Sequence, residues 1–330
     1  MFQALPRREF LRRVTLGAAV AAVAGEKYLT AQENSAVPAA DVIPIVDTHQ
    51  HLWDLSKFHL PWTKGNEVLA RSFVMADYLQ ATAGLNVIKT VYMEVDVHPS
   101  QQMREAEYVI DLCTRPDNPM VAAVISGRPG TDEFAAYAQT FKGSPYIKGI
   151  RQVLHGLENP AGFCLQPKFV DSIKLLGDLG LSFDLCMRSE ELLDADKLVA
   201  QCPNTRFILD HCGNLSVQET DPAKRKLWKD GMVALAARPN VMCKISGIIA
   251  TAKKDWKVED LAPNILETMQ TFGPDRVMFA GDWPVCTLTA TYKQWVDALK
   301  TIVKDLPAEQ QLKLFHDNAV KFYDLKDKPK

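Results

Sequence analysis

Beyond residue 41 the chain alternates between two hydrophobic periods. Short β-rich runs, of which Ile147-Lys148-Gly149-Ile150-Arg151-Gln152-Val153 is typical, are followed by longer stretches whose apolar residues recur every three or four positions. The first pattern is that of a buried strand and the second that of an amphipathic helix packed on one side. Strands are expected over 42–49, 88–95, 120–126, 147–153, 181–187, 206–211, 241–246 and 276–281. Helices are expected between and after them, over 75–83, 101–114, 132–141, 167–179, 190–201, 224–237, 258–272 and 292–304. A strand and a helix repeating about every 33 residues is the arithmetic of a (β/α)8 barrel in one domain, here residues 41–330. A doubly wound open sheet is the weaker reading, because no glycine-rich phosphate loop follows the first strand. Residues 309–325 read as an extra C-terminal helix and 326–330 as a frayed polar tail.

Composition narrows the function more than the fold. The 330 residues are 47% hydrophobic and 24% charged, with a net charge of -2, so the electrostatic footprint of a nucleic-acid binder is missing. The expected partner is a small molecule, and the sequence leaves open whether the chain self-associates. Residues 1–40 stand apart. Pro6-Arg7-Arg8-Glu9-Phe10-Leu11-Arg12 resembles a twin-arginine signal, and the weakly apolar run after it, at about 11 residues, is too short to span a bilayer. A leader of this kind implies recognition by the twin-arginine machinery and a periplasmic or extracellular destination, with no stable membrane anchor once it is cleaved. A basic amphipathic helix is the alternative. The seven cysteines are an odd number with no C-x-x-C spacing, and they read mostly as small buried apolar residues.

The chemistry begins where the first strand ends, at Asp47-Thr48-His49-Gln50-His51-Leu52-Trp53-Asp54. Strict strand alternation would put Asp47, His49 and His51 on one face, where two imidazoles can ligate one ion or hold one polarised carbonyl. In a barrel the functional groups gather at the C-terminal strand ends. Those ends carry Tyr92 and Glu94, Arg151 with His155 just beyond, Asp184 and Arg188, Asp210 and His211, Lys244 and Ser246, and Asp282 with Trp283.

Taken in order, D-T-H-Q-H-L-W-D, I-K-G-I-R-Q-V-L, L-D-H-C-G, K-I-S-G, F-A-G-D-W-P-V and the closing D-N-A-V-K-F-Y resemble the lactonase-like branch of the amidohydrolase superfamily, which includes sugar-lactone and muconolactone hydrolases. The resemblance implies a distorted (β/α)8 barrel in which His49, His51, His211 and Asp282 surround the reacting carbonyl. They would do so around one divalent ion, zinc first, or without metal. It also implies lactone hydrolysis with Asp282 as general base and acid. A metal-dependent decarboxylase, an amide hydrolase and a non-catalytic exported binding protein remain as alternatives. Arg151 stands where the wider superfamily often has a bridging lysine, and Lys148 lies near the start of the strand, so a binuclear centre is not expected. Arg151 and Arg188 suit a substrate carboxylate or vicinal hydroxyls, and Glu94, His155 and the aromatic Tyr92, Trp53 and Trp283 complete the expected substrate contacts. Arg151 reads equally well as an ion-pair partner of Glu94 or Asp184, and the aromatics as core.

Overall fold

The computed structural model describes residues 43–156 and 158–328. The expected leader and linker, with Arg7 and Arg8, lie outside the described residues. Eight parallel strands follow one another around the sheet in sequence order: β1 (Ile45–Gln50), β2 (Val87–Met93), β3 (Met120–Ser126), β4 (Ile147–Val153), β5 (Ser182–Cys186), β6 (Arg206–Leu209), β7 (Val241–Ile245) and β8 (Val277–Phe279). The helices of the outer ring are α1 (Met75–Ala81), α2 (Gln102–Thr114), α3 (Phe134–Gln139), α4 (Pro167–Asp178), α5 (Leu192–Gln201), α6 (Pro222–Ala236), α7 (Val258–Phe272) and α8 (Tyr292–Val303). This is the expected (β/α)8 barrel.

Its helices start where local chemistry directs. Thr291 caps α8 by accepting from the Gln294 amide, while Gln294 Oε1 accepts from the Thr291 amide at 2.7 Å. Pro222 opens α6 behind the Asp221 cap. The apolar stripe Tyr292, Trp295, Val296, Leu299 and Val303 then lies buried against the wall.

The distortion sits at the seam. β8 is three residues long, and the β1–β8 closure is made by a bridge between Gln50 and Trp283, by His51 N–H donating to Trp283 O at 2.8 Å and by Thr48 Oγ1 donating to Phe279 O at 2.7 Å. The barrel interior is lined with medium and small side chains, among them Val46, Val91, Ala122, Val124 and Ile208. The space they leave is filled by the C-terminal segment, which contributes Ala319, Tyr323 and Leu325.

That segment departs from the single helix expected over 309–325. It runs as α9 (Ala308–Leu312), a π turn (Lys313–Asp317) and α10 (Asn318–Tyr323). The π turn keeps Leu314 and Phe315 buried, and Asn318 Nδ2 donates to Pro274 O and Val277 O at 2.8 and 2.7 Å. Nor is the tail frayed through residue 328, because the Lys328 ammonium donates to Asn118 O at 2.9 Å and to Arg115 O.

Candidate active site

A register irregularity between Asp47 and Gln50 governs the first strand end. An extra residue there reverses the alternation. His49 and His51 face the barrel mouth together, but Asp47 points the other way, to Tyr78 of α1 and Tyr292 of α8. The shared face expected for all three therefore holds for the two histidines alone. His51 Nδ1 lies 3.0 Å from Met93 O, an acceptor, so this nitrogen carries a proton, and Nε2 stands 3.4 Å from Asp282 Oδ1. His49 Nε2 is 3.7 Å from the same oxygen. His211 Nδ1 is 2.8 Å from Ser246 Oγ, and its ring centroid is 4.5 Å from that of His49. His211 and Asp282 both sit at positive φ, 55° and 51°, where the chain turns sharply off β6 and β8. His and Asp are among the non-glycine residues that enter this region most readily.

Beneath these groups lies a buried charge network. Arg151 Nε donates to Glu94 Oε1 at 2.7 Å, Nη2 to Glu94 O at 3.0 Å and Nη1 to Asp210 Oδ2 at 3.2 Å. Lys244 donates to Asp184 Oδ2 at 2.6 Å and stands 3.3 Å from Asp210 Oδ1. His49 is wedged between the two cations, with Arg151 Nη1 3.2 Å from Nε2 and Lys244 Nζ 3.4 Å from Nδ1. A guanidinium only donates, so Nε2 accepts and Nδ1 carries the proton, 3.5 Å from Asp210 Oδ1. Lys244 is then an electrostatic neighbour of that nitrogen. Burial, reinforced by the Lys244 charge and opposed by Asp210, holds His49 well below the ordinary histidine range, so the ring is neutral. Burial alone would depress Lys244, but the Asp184 and Asp210 carboxylates outweigh it and keep the ammonium charged.

One oxygen or nitrogen from each of His49, His211 and Asp282 lies within 4.8 Å of the others, and His51 Nε2 borders the same Asp282 oxygen. This donor set fits one divalent cation once Arg151 releases His49 Nε2, with Ser246 and Met93 O orienting His211 and His51 from behind. A second grouping, Cys186, Asp210 and His211, fits poorly. Burial pushes the Cys186 thiol up to about 12, and Asp210 is already compensated by Lys244 and Arg151. Lys148, whose Nζ reaches Asp324 O at the opposite end of the barrel, is out of range of either group.

The residues expected to hold substrate separate by exposure. His155 is exposed just past β4. Desolvation of its ring by the surrounding rim, with the nearby charges of Arg151 and His211, lowers its pKa all the same. Arg188 is occupied elsewhere, its guanidinium donating to the carbonyls of His155, Gly156 and Asn159 and to Glu191, so it fastens the β4–α4 loop. Tyr92 is in the wall, its hydroxyl donating to Glu105 Oε1 at 3.0 Å. Trp53 packs on Trp62 and Phe73. Trp283 packs on Phe73 and Tyr78 and borders a crevice of about 460 Å³ on the outer side, beside α1 and α8. Arg151 and Glu94 are buried with each other, the ion pair that was one of the two readings of Arg151.

The third strand end was missing from the sequence reading. It supplies Ser126, whose hydroxyl donates to Glu94 Oε2 at 2.6 Å, and Arg128, paired with Asp96 at 2.5 Å. A serine and an arginine directly after a strand were the available signal. Glu105 was missed as well, although its place among the buried Ala106, Val109 and Leu112 of α2 marks a carboxylate on an apolar helix face.

A family model described as amidohydrolase matches residues 46–325. Over 293 residues the chain is 26% identical to the L-fucono-1,5-lactonase of Burkholderia multivorans, covering 85% of this chain and 96% of that one. It is 23% identical over 337 residues to the L-rhamnono-gamma-lactonase of Scheffersomyces stipitis, covering 85% and 98%. An amidohydrolase crystal structure from Burkholderia multivorans with bound zinc superposes with a TM-score of 0.75 at 23% identity, covering 86% of this chain and all of that one, 100%.

Proposed function

The chain belongs to the amidohydrolase family, and from that premise we propose that it opens a lactone ring by directing water at the carbonyl from Asp282. The observation that carries this reading is the approach of His51 Nε2 and His49 Nε2 to a single Asp282 oxygen, at 3.4 and 3.7 Å, at the C-terminal strand ends of a (β/α)8 barrel. The named lactonases among its relatives support the substrate class. They differ in ring size, so the proposal extends to lactones of sugar acids without fixing the ring.

The reaction needs a base for water, charge stabilisation at the carbonyl oxygen and an acid for the leaving ring oxygen. In the proposed sequence the Asp282 carboxylate takes a proton as the water oxygen bonds to the carbonyl carbon. The ring C–O bond then breaks, and Asp282 returns the proton to the departing alkoxide, leaving a hydroxy acid. His51 and His211 face the developing oxyanion, and His49 packs beside both rings. A single divalent ion held by these histidines and Asp282, zinc for preference, would when bound polarise the carbonyl and acidify the water. Without an ion, neutral His49 is held by Arg151 and Asp210 in one tautomer, its Nε2 lone pair taken by the guanidinium. His155 at the rim is assigned to the substrate, and Arg188 acts on it through the loop it fastens.

Ring opening of a neutral lactone releases a proton from the new carboxylic acid. A panel of aldonolactones followed with a pH indicator tests the reading, and acidification dependent on the protein is the expected result. A panel with no turnover in metal-supplemented and metal-free buffer would reject it. Elemental analysis should find at most about one divalent ion per chain. Two tightly held ions would contradict the role given to Arg151.

A further inference from the structure

We propose that Asp47 is the positioning residue of this site, locking the segment that carries His49 and His51 to the segment that carries Asp282. The proposal rests on the hydrolytic reading for its kinetic consequence, but its geometry stands alone. Asp47 Oδ1 accepts from the His49 amide at 3.0 Å and from the Gly281 amide at 2.7 Å. One oxygen thereby joins β1 to the residue immediately before Asp282, across the seam where β8 is shortest. The other oxygen, Oδ2, accepts from Tyr78 OH at 2.8 Å and Tyr292 OH at 2.9 Å, so the carboxylate is aimed by two helices, α1 and α8. No side-chain atom of Asp47 needs to reach the mouth for this.

Two further observations point the same way. A Cβ on Gly281 would come within 2.4 Å of Tyr292 Cε2 and 2.5 Å of Asp47 Oδ2, so the chain has been brought against the carboxylate as closely as a glycine allows. The seam also has few other ties, the Gln50–Trp283 bridge and the bonds from Thr48 and His51 being those described above. Without Asp47 the two halves of the site would lean on these hydrogen bonds among the described residues, and displacements of about 1 Å at reacting groups cost up to about 100-fold in rate.

The test uses the full chain, a lactone turned over by the wild type, and ¹⁵N-histidine spectra, which the seven histidines keep tractable. Asp47→Ala should lower kcat by about tenfold or more with KM changed by less than about threefold, and should move the His49 and His51 ring signals while leaving that of exposed His155 in place. Asp47→Asn should restore kcat to within about threefold of wild type, since its oxygen still accepts both amides and its NH2 donates to phenols that rotate to accept. If Asp47→Ala does not fold, the Tyr78→Phe/Tyr292→Phe double variant decides. It strips the donors from Oδ2 and should lower kcat several-fold at unchanged KM. Wild-type kcat in Asp47→Ala or in the double variant would overturn the proposal, as would an Asn variant as impaired as the Ala variant. Should the wild type open no lactone, the hydrolytic reading falls, while unmoved His49 and His51 signals in Asp47→Ala would still overturn the positioning role.

Discussion

At the scale of single residues, the proposed reaction sets Asp282 at the chemistry and the structure sets Arg151 in the buried support. Asp282→Asn keeps the shape between His49 and His51 but accepts no proton, so turnover should fall by about 100-fold or more while the melting temperature stays near that of wild type. Steady-state kinetics beside thermal melts would show it, and near-normal turnover would remove Asp282 from the proposed role. Arg151 calls for a different measurement. It is 4% exposed and is the partner of both Glu94 and Asp210, so Arg151→Ala leaves two buried carboxylates short of a cation. Breaking such a pair costs about 3–5 kcal/mol, and the variant should unfold at markedly lower urea concentration. An Arg151→Ala protein of native stability with only a raised KM would restore the substrate-clamp reading.

At the scale of elements, α2 carries a pH dependence into the wall. Burial, with the neighbouring Glu94 charge, pushes Glu105 from an ordinary 4.5 up to about 7, against the opposing hydrogen bonds from Val95 N–H, Ser126 N–H and Tyr92 OH. The folded state therefore binds a proton that the unfolded chain has already lost between these two values. The stabilisation is complete below about 4.5 and disappears as pH rises through about 7. Glu105→Gln presents an amide donor to the Ser126 or Val95 amide, so it should melt lower at every pH, with a flatter slope between pH 5 and 8. A parallel slope would show that another group carries the effect. Elements of this kind were legible wherever one period ran unbroken. β3 and β4 match their expected bounds, as does α7. What escaped was the irregularity after Asp47, since period-two reasoning assumes equal steps and a single extra residue reverses every later side chain. The aromatics at strand ends escaped for a related reason. Tyr92 and Trp283 border the mouth in sequence, but the direction of each ring depends on helices distant along the chain.

At the scale of the whole molecule, the histidines and Asp282 were legible because a barrel sends all its strand ends to one face, so position along the chain becomes position in space. The buried lattice of Arg151, Lys244, Asp184, Asp210 and Glu94 was only half legible, because which cation meets which carboxylate is decided across five strands. We propose that residues 1–40 are a twin-arginine leader taking the protein to the periplasm or beyond. Replacing Arg7 and Arg8 by Lys should leave the protein in the cytoplasmic fraction, since that pair is read by a receptor. Unchanged export in a fractionation experiment would reject the leader.

The plug formed by Ala319, Tyr323 and Leu325 has a consequence for biosynthesis. A ribosome that has finished β8 has made every stave of the barrel but not the stopper, so the interior beside Val46, Val91 and Val124 stays hollow until these later residues emerge. Packing a space of this kind contributes on the order of several kcal/mol, and a barrel without its stopper exposes the apolar surface of its interior. A chain cut short before residue 319 should therefore bind a hydrophobic dye that the full chain does not, and equal dye binding by the two would show that the barrel packs without this stopper.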